Sequence, residues 1–455
     1  MDRSPIGQKI ARRIREERTA EKFFGEFVDL SAGLDEDDYS PVNLRIGEFY
    51  GIEMIPGCDP ISALEKNLIK KYGRTDAVRI IEAANIVTGQ MRGLDCQLRM
   101  WEELKRALET EEVSAGKRRY AGVRGSRAIL KELTAHLNGN NNGHDKDIST
   151  DHIQLISGGS TAALHFLIDM FETVAYGYPG YLYDIHSGFN GKAVGFQAWD
   201  IDSLVGKIMD ERERLGIKAA IINVPHNPLG YNLTESSVKS LNELSENVKL
   251  IFDNVYGQYD KKSMELLSQV RNKIILRSFS KEFGMPGIRL AYAIFDNPEE
   301  REMIQTSSSA AYVSIANPVL QLAKWALQLN RKYGLSKHIV EQMKKRQAEF
   351  ERAINGQISS FGVVPGSIEG MYRILYLDKE MAERHPEVYS SGNFVGLCAE
   401  NGVIVTPLEI FTPPDAAGKL EKTGIRIAVS GSPRAYEGGK RVLAAAENMY
   451  NRTRE

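Results

Sequence analysis

The sequence predicts an α/β fold with a mostly parallel sheet covered by helices, followed by a smaller α+β domain. After residue 150, short apolar runs bounded by Gly, Pro, Asn or Ser alternate with segments of helical period. Such runs are typical of strands buried on both faces, and their alternation with helices is typical of parallel sheets. The chain has 455 residues, more than one core usually holds, so we expect two domains.

The elements of the large domain can be predicted in chain order. A helix is predicted at SRAILKELTAHL because apolar residues recur there at helical spacing. The Asn- and Gly-rich stretch from Asn138 to Gly143 is typical of a loop, and a second helix is predicted at TAALHFLIDMF. The predicted strands share an apolar composition and are HIQLIS, KAAIINV, VKLIFD, KIILRS and LAYAIF.

The remaining segments predict a smaller domain and an N-terminal arm. The long polar helix KHIVEQMKKRQAEFERAI leads into the strand candidates MYRILYL, GVIVTP and IRIAV, and KRVLAAAENMY predicts a last helix. Near the N-terminus, DAVRIIEAANIVTGQM and LRMWEELKRALE have helical patterns. We therefore predict an arm and helical segment at 1–115 that contributes to the small domain, a large α/β domain at 116–330 and a small C-terminal domain at 331–455.

Composition excludes several classes of partner. Lys and Arg total 58 against 60 Asp and Glu, so the net charge of -2 does not favour binding to nucleic acid or to an anionic membrane. The three cysteines, Cys58, Cys96 and Cys398, have no metal-ligand spacing and are typical of ordinary thiols in a reducing compartment. The first 25 residues include glutamates and no apolar signal region. We expect a cytoplasmic protein without a metal site.

The most informative segment reads SFSKEFGMPGIRLA and begins at Ser278, after the strand candidate KIILR. Lys281 thereby follows the end of a predicted strand, which is the edge where open α/β sheets bind ligands. An amine must be neutral to attack an aldehyde, and burial lowers the pKa of a lysine. Taken alone, Lys281 is more typical of an ordinary solvated or salt-bridged lysine, and the functional role is the less common alternative.

Three other motifs lie next to predicted strands, and a fourth, YGYPGY, lies between the first two of them in the chain. SGGSTAAL, from Ser157, lies between a strand and a helix, where free N–H groups and small residues favour an anion, although an ordinary helix cap has the same composition. The motifs YGYPGY and VPHNPLG predict turns. LIFDNVY places Asp253 at the end of an apolar strand, where a carboxylate is costly without a donor or cation.

In this order, the five motifs resemble the class I/II aminotransferases of the fold-type I superfamily of enzymes that use pyridoxal 5′-phosphate (PLP), the aspartate aminotransferase superfamily. The resemblance covers about 115–455. It implies a large domain with a seven-stranded sheet and a Schiff base between Lys281 and PLP. It also implies that Asp253 faces the pyridine nitrogen, that Asn227 and Tyr256 bond the phenolic oxygen, and that Tyr178 stacks on the ring. Lys281, Asp253 and Tyr256 are the expected catalytic residues.

The resemblance also implies contacts to phosphate, substrate and a partner subunit. Ser160, Thr161, Ser278 and Arg289 correspond to residues that bind the cofactor phosphate. Arg426 corresponds to the arginine that binds the substrate α-carboxylate, and Asn227 is also expected to bind the substrate. Tyr120 corresponds to a tyrosine that reaches the phosphate of the partner subunit, which implies a homodimer with shared active sites.

The sequence departs from the family pattern at the substrate end. Leu408 and Glu409 stand where the family commonly has Gly, and the usual Pro after Tyr120 is absent. Four charged residues lie where a substrate side chain could be bound, which favours a polar or cationic amino acid, but each is also open to a surface or salt-bridged role and none is predicted as a site residue. They are Arg45, Glu48, Arg373 and Glu409.

The expected function is therefore transamination between an amino acid and a 2-oxo acid. The same residues also serve a PLP-dependent lyase, cyclase or oxidase of a polar amino acid, because the protein chooses which bond aligns with the cofactor. A third alternative is a non-enzymatic PLP-binding regulator on the same fold. The first hundred residues have no basic helix-turn-helix pattern, which disfavours this alternative.

Overall fold

The computed structural model describes residues 42–43, 120–139, 148–181, 183–186, 191–366, 371–413, 416–429 and 434–454. The two helices predicted within the first 115 residues lie outside these ranges. None of the helices in the described ranges is long and apolar enough to cross a bilayer.

The strands in the described part of the chain are numbered in chain order. They are β1 Val42–Asn43, β2 Ile153–Ser157, β3 Thr173–Tyr178, β4 Lys192–Gln197, β5 Ala219–Asn223, β6 Lys249–Asp253, β7 Lys273–Ser278, β8 Leu290–Phe295, β9 Val363–Pro365, β10 Arg373–Leu377, β11 Val403–Ile404, β12 Thr406–Pro407 and β13 Gly424–Ile427.

Seven of these strands form the large sheet, in the order β2-β8-β7-β6-β5-β3-β4. Strand β3 pairs in parallel with β4 and β5, and β6 pairs in parallel with β7. Strand β8 runs antiparallel to both β2 and β7. The prediction of a mostly parallel, seven-stranded sheet is therefore confirmed.

The helices in the described ranges are also numbered in chain order. They are α1 Arg127–Asn138, α2 Gly159–Phe171, α3 Ile201–Leu215, α4 Glu235–Leu244, α5 Lys261–Ser268, α6 Phe279–Glu282, α7 Pro298–Tyr312, α8 Asn317–Tyr333, α9 Leu335–Ile354, α10 Lys379–Arg384, α11 Ser391–Glu400 and α12 Ala435–Asn451.

Local sequence explains where several helices begin and end. Helix α3 begins after Asp200, whose carboxylate accepts a hydrogen bond from the Ser203 N–H, and it ends at Gly216 with φ 64°. An acidic N-cap satisfies a free N–H of the first turn, and glycine adopts the left-handed conformation without a Cβ clash. Helix α1 begins in the same way after Ser126, whose hydroxyl accepts from the Ile129 N–H.

A second sheet lies in the C-terminal region, as predicted. Its order is β12-β13-β10-β9, and its neighbouring strands are antiparallel. The predicted strand GVIVTP is split, because β11 pairs in parallel with β1 whereas β12 joins β13. Buried side chains of α9, α11, α12 and this sheet form one apolar core, which includes Phe350, Phe394, Ile425 and Val442.

The chain divides into two compact units by internal contacts. Of the described residues, those at 42–43 and within 172–248 and 343–454 belong to the first unit, and those within 120–171 and 249–342 belong to the second. In the second unit, β6, β7 and β8 are almost fully buried along their length. The domain division at 115 and 330 stays a prediction.

Candidate active site

In the second unit, Lys281 lies on a single helical turn at the end of a buried strand. All six residues of β7 are buried, and α6 begins directly after it. Ser278 caps this turn, because its hydroxyl accepts a hydrogen bond from the Ser280 N–H at 3.1 Å. The Tyr259 hydroxyl donates to the Lys281 carbonyl oxygen at 3.1 Å. The predicted location of Lys281 at a strand end is observed.

Two further candidates lie at the end of the adjacent parallel strand. Asp253 is the last residue of β6 and is 4% exposed, and Tyr256 follows three residues later at 6% exposed. Strands β6 and β7 are parallel neighbours, with Asp253 beside Leu276. The Lys281 Nζ lies 6.0 Å from the centroid of the Tyr256 ring. The three predicted catalytic residues therefore belong to one edge of the sheet.

An anion cradle is formed where β2 leads into α2. Gly158 and Gly159 have φ of 92° and 77°, a conformation that residues with a Cβ rarely adopt. Ser160 and Thr161 follow in the first turn of α2, whose N–H groups have no partner within the helix. The positive end of the helix dipole therefore points out at these residues.

Arg289 adds a positive charge to this cradle. Its Nη2 donates to the Gly158 carbonyl oxygen at 3.3 Å, and its Nη1 donates to the Pro286 carbonyl oxygen at 3.2 Å. A Cβ on Gly159 would lie 2.9 Å from the Arg289 Nη2, so only glycine leaves the guanidinium in this place. Among the described residues, the guanidinium forms no ion pair with a carboxylate, and the cradle therefore keeps a net positive field.

Ser278 was predicted to contact the same phosphate, and its hydroxyl has contacts of its own. It lies 3.5 Å from the Leu290 carbonyl oxygen, in addition to capping α6. The side chain is 2% exposed. Its observed contacts are structural, and the phosphate contact stays a prediction.

The residues of the second unit fit PLP. A lysine amine suits the aldehyde, a buried carboxylate at a strand end suits a protonated pyridine nitrogen, and the cradle of Gly159 and Arg289 suits a phosphate. The fit rests on three separate features of the chain, the lysine turn, the Asp253 strand end and the cradle that a Cβ on Gly159 would fill.

In the first unit, Asn227 and Arg426 are brought together from positions 199 residues apart. The Arg426 Nη1 donates to the Asn227 Oδ1 at 2.8 Å. The guanidinium lies 4.4 Å from the centroid of the Tyr372 ring and 4.6 Å from that of Phe411. These contacts hold the plane of a buried guanidinium, and a planar guanidinium can bind both oxygens of a carboxylate.

Asn227 is held by the turn that carries it. Its N–H donates to the Asn223 Oδ1 at 2.6 Å, and the turn is closed by the His226 N–H donating to the Tyr231 carbonyl oxygen at 2.9 Å. Within the turn, the His226 Nδ1 accepts from the Leu229 N–H at 3.2 Å. The position of the Asn227 amide is therefore fixed by the residues next to it.

Tyr178 and Tyr120 occupy very different environments. Tyr178 is the last residue of β3 and is partly buried, and a Cβ on Gly195 would lie 3.0 Å from its Cδ1 atom. The loop after it is anchored by the Gly180 N–H, which donates to the Phe411 carbonyl oxygen at 2.7 Å. Tyr120 is 85% exposed in the single chain.

The charged residues at the substrate end have structural partners where they are described. The Arg373 Nη2 donates to the Glu351 Oε2 at 3.0 Å, so Arg373 is a salt-bridged residue. Burial raises the pKa of Glu409, and a hydrogen bond from Ser391 opposes this effect. Arg45, Glu48, Cys58 and Cys96 lie outside the described residues. Cys398 is a buried free thiol whose pKa is raised by burial.

A buried polar cluster next to Lys281 was missed in the sequence. The Glu282 carboxylate binds Arg277 at 3.2 Å, His136 at 2.8 Å and Tyr292 at 2.6 Å. Arg277, a charged residue that directly follows the apolar run at 274–276 of a buried strand, was a visible signal. His136 gave none, because it lies 146 residues from its partner.

The Glu282 carboxylate remains ionised within this cluster. Burial alone would raise its pKa, but the Arg277 charge and the hydrogen bonds from His136 and Tyr292 outweigh burial and lower the pKa to about 2. The same carboxylate raises the pKa of Arg277. Both groups are therefore charged at neutral pH.

The fold, with its mostly parallel seven-stranded sheet, is that of the PLP-dependent enzymes of fold type I. The sequence profile of the family described as aminotransferase class I and II matches residues 84–437, which is most of the chain. The chain belongs to that family, whose cofactor is PLP.

Individual relatives are more distant. The chain is 27% identical over 159 residues to a histidinol-phosphate aminotransferase of Haloarcula marismortui, covering 32% of this chain and 44% of that protein. It is 28% identical over 213 residues to an aromatic amino acid aminotransferase of Rhodococcus jostii, covering 46% of this chain and 52% of that protein. The matches thus span about half the length of these curated relatives.

A solved structure extends the similarity of fold to nearly the whole chain. The aspartate aminotransferase of Thermotoga maritima matches with a TM-score of 0.62 and 18% identity, covering 97% of this chain and 99% of that one. At this identity the match establishes the fold and leaves the substrate open.

Proposed function

We propose that the protein is a PLP-dependent aminotransferase that exchanges an amino group between an amino acid and a 2-oxo acid. The observation that carries the proposal is the position of Lys281, on a capped turn after a buried strand, with its Nζ 6.0 Å from the Tyr256 ring. Membership of the aminotransferase class I and II family supports the same reaction.

The residues of the second unit are proposed to hold the cofactor. Ser160, Thr161, Ser278 and Arg289 would bind its phosphate, and the positive field at the start of α2 supports this assignment. Asp253 would keep the pyridine nitrogen protonated, since a buried carboxylate is stabilised by a cationic partner. Tyr256 would donate a hydrogen bond from its hydroxyl to the phenolic oxygen of PLP.

The residues of the first unit are proposed to orient the substrate and the ring. Arg426 would bind the α-carboxylate with its guanidinium edge, and Asn227, which it already contacts, would bind beside it and to the phenolic oxygen. Tyr178 would stack on the pyridine ring, an arrangement that holds a planar group without covering its edge.

The chemistry requires one proton carrier. When bound, PLP supplies an electron sink that stabilises negative charge at the Cα of the amino acid. The Lys281 Nζ would act as the base that takes the proton from the substrate Cα and as the acid that delivers it to C4′ of the cofactor, where transamination requires it. Arg426 would bind both oxygens of the α-carboxylate and so fix the orientation of the bound amino acid.

We further propose a cytoplasmic enzyme of amino acid metabolism that acts as a homodimer with shared active sites. The exposed Tyr120 supports the shared site, because an aromatic side chain with 85% exposure is available to a second subunit. The near-neutral charge supports a small-molecule substrate over nucleic acid.

An absorbance titration tests the proposed function. We expect the purified protein to show the visible band of lysine-bound PLP, an amino acid to convert it to the pyridoxamine form, and a 2-oxo acid to restore it. A panel that includes arginine and other polar amino acids would identify the donor. Lys281→Ala is the control, and it should lack the lysine-dependent band.

Other outcomes are equally informative. A Lys281→Ala protein with an unchanged band would reject the role of Lys281. Return of the starting spectrum without any 2-oxo acid, with release of ammonia or a cyclised product, would reject transamination in favour of a lyase, cyclase or oxidase on the same scaffold.

A further inference from the structure

The turn that carries Lys281 is too short to hold itself in place. Helix α6 comprises four residues, Phe279–Glu282, and a single turn fixes several backbone angles for one hydrogen bond. Its conformation therefore depends on contacts with the rest of the second unit. Next to Lys281 in the chain, the Glu282 side chain makes three polar contacts with other elements of the second unit.

Three donors from three elements meet at the Glu282 carboxylate. Oε1 accepts from the His136 ring at 2.8 Å and from the Arg277 Nη2 at 3.2 Å, and Oε2 accepts from the Tyr292 hydroxyl at 2.6 Å. His136 belongs to α1, Arg277 to β7 and Tyr292 to β8. The side chains of Arg277 and Glu282 are each 3% exposed, so water does not compete for these bonds.

The hydrogen bonds of Asn330, at the outer end of this cluster, determine which nitrogen of the His136 ring carries the proton. The Asn330 Oδ1 accepts from the Ser336 N–H and hydroxyl, each at 2.8 Å. Because a backbone N–H can only donate, the amide nitrogen of Asn330 must face the His136 Nδ1, 3.2 Å away. The Nδ1 is then an acceptor, and the Nε2–H donates to Glu282. Each member of the chain from Ser336 to Glu282 thus has a matched partner.

We propose that Glu282 is a positioning residue for Lys281. Its carboxylate, bound by His136, Arg277 and Tyr292, fixes the turn on which Lys281 stands, so that the Nζ stays within reach of the substrate Cα. The proposal rests on the proposed role of Lys281 as the proton carrier. The turn α6 is then held at two places, by the Glu282 side chain and by the Tyr259 hydroxyl, which donates to the Lys281 carbonyl oxygen.

The test compares Glu282→Gln with the double variant Arg277→Met/Glu282→Gln in the PLP-loaded enzyme. The single variant leaves Arg277 buried without its counter-ion, whereas the double variant removes both charges and so avoids that penalty. The measurements are kcat, the KM for the amino donor, the melting temperature and the rate of PLP release. PLP release is measured as the loss of visible absorbance after dilution into phosphate.

We expect Glu282→Gln to lower kcat about 10- to 100-fold, the range expected when a reacting group is displaced by roughly 1 Å. The KM for the donor should change by less than about threefold, since the donor carboxylate is assigned to residues of the first unit. PLP release should be faster than in the wild type. The double variant should recover melting temperature but keep the low kcat, because restored stability does not restore the anchoring of the turn.

A matched control separates positioning from general destabilisation. Glu300→Gln breaks another ion pair of the second unit, with Lys249 at the start of β6, and should lower the melting temperature without changing kcat or PLP release. Equal losses of kcat in Glu300→Gln and Glu282→Gln would overturn the proposal, as would a folded double variant with wild-type kcat and PLP release.

Tyr292→Phe covers the case in which the Glu282 variants do not fold. It removes one donor to the carboxylate and keeps the ring in the core, so kcat should fall about three- to tenfold at unchanged KM, in line with a hydrogen bond of about 1 kcal/mol. Wild-type kcat in this variant would also overturn the proposal. A wild-type protein that binds PLP but does not transaminate would instead reject the proposed function on which this inference rests.

Discussion

At the scale of single residues, buried polar side chains define the geometry of the site. His226 is an example within the turn that carries Asn227. It stacks on Tyr231 with 4.0 Å between ring centroids, and its Nδ1 accepts from the Leu229 N–H, so it is bound as a neutral ring. Burial lowers the pKa of His226 to about 3.

We predict that His226 makes the protein sensitive to mild acid. In the unfolded state the His226 imidazole binds a proton near pH 6.5, whereas in the folded state it does so only near pH 3. The contribution of neutral His226 to the free energy of unfolding is therefore full above pH 6.5 and is lost as the pH falls from 6.5 towards 3. The melting temperature should therefore fall more between pH 7.5 and 5.5 in the wild type than in His226→Gln. Parallel losses in the two proteins would contradict this prediction.

Arg426 gives a prediction about substrate binding. Arg426→Lys keeps the charge but loses the planar fork, so the KM for the amino donor should rise about 10- to 100-fold, as expected for the loss of roughly 1.5–3 kcal/mol. Steady-state kinetics with donor and 2-oxo acid would measure it. Arg384→Lys, at an exposed pair with Glu380, is the matched control and should leave the KM unchanged. A normal KM in Arg426→Lys would show that the carboxylate binds elsewhere.

At the scale of elements, the entry into α2 depends on local backbone chemistry. Gly159 opens α2 with φ 77°, and the guanidinium of Arg289 occupies the space that a side chain would need. The anion cradle is therefore a property of the strand-to-helix junction as a whole, because this backbone conformation brings the free N–H groups of α2 and the Arg289 guanidinium together.

We predict that Gly159→Ala weakens PLP binding at least tenfold. Its Cβ would displace the Arg289 guanidinium, and alanine at positive φ adds strain of about 1–2 kcal/mol. Gly216→Ala is the control, since Gly216 also has positive φ, 64°, but nothing within 4 Å of the added Cβ. Titration of apo protein with PLP should show a raised Kd for Gly159→Ala alone. Equal Kd values for both variants would mean that the cradle does not bind the phosphate.

At the scale of the whole molecule, the chain contains a large, mostly parallel sheet and a smaller antiparallel sheet. The family match at 84–437 includes the strands of both sheets. Helices and strands from distant parts of the chain share each compact unit. Such an arrangement folds only when segments far apart in sequence meet, so the C-terminal helices are expected to be required for stability of the first unit.

We predict that the active site is completed by a second subunit through Tyr120. Tyr120→Ala and Lys281→Ala should each have low activity alone. Subunit exchange between them creates heterodimers with one intact site, so an equal mixture should recover about a quarter of the wild-type activity if exchange is random. Size-exclusion chromatography with light scattering would establish the dimer. A dimeric mixture that recovers no activity would show that Tyr120 does not act across the interface.

Much of the fold was predictable because buried parallel strands are continuous apolar runs. Five strands of the large sheet, β2 and β5 to β8, were predicted to within one residue. Strands β3 and β4 were not predicted. The sequence TVAYGY ends in a turn-like motif, and β4 is only partly buried, so neither shows the uninterrupted apolar pattern of a central strand.

The sequence by itself determined the type of fold, the position of Lys281 after a strand and the glycines that open α2, because each follows from residues adjacent in the chain. The tertiary structure alone decided that Arg426 binds Asn227 and that His136 binds Glu282, across separations of 199 and 146 residues. Local patterns report local backbone preferences, whereas these pairs depend on how strands and helices pack, and packing brings together side chains that no spacing relates.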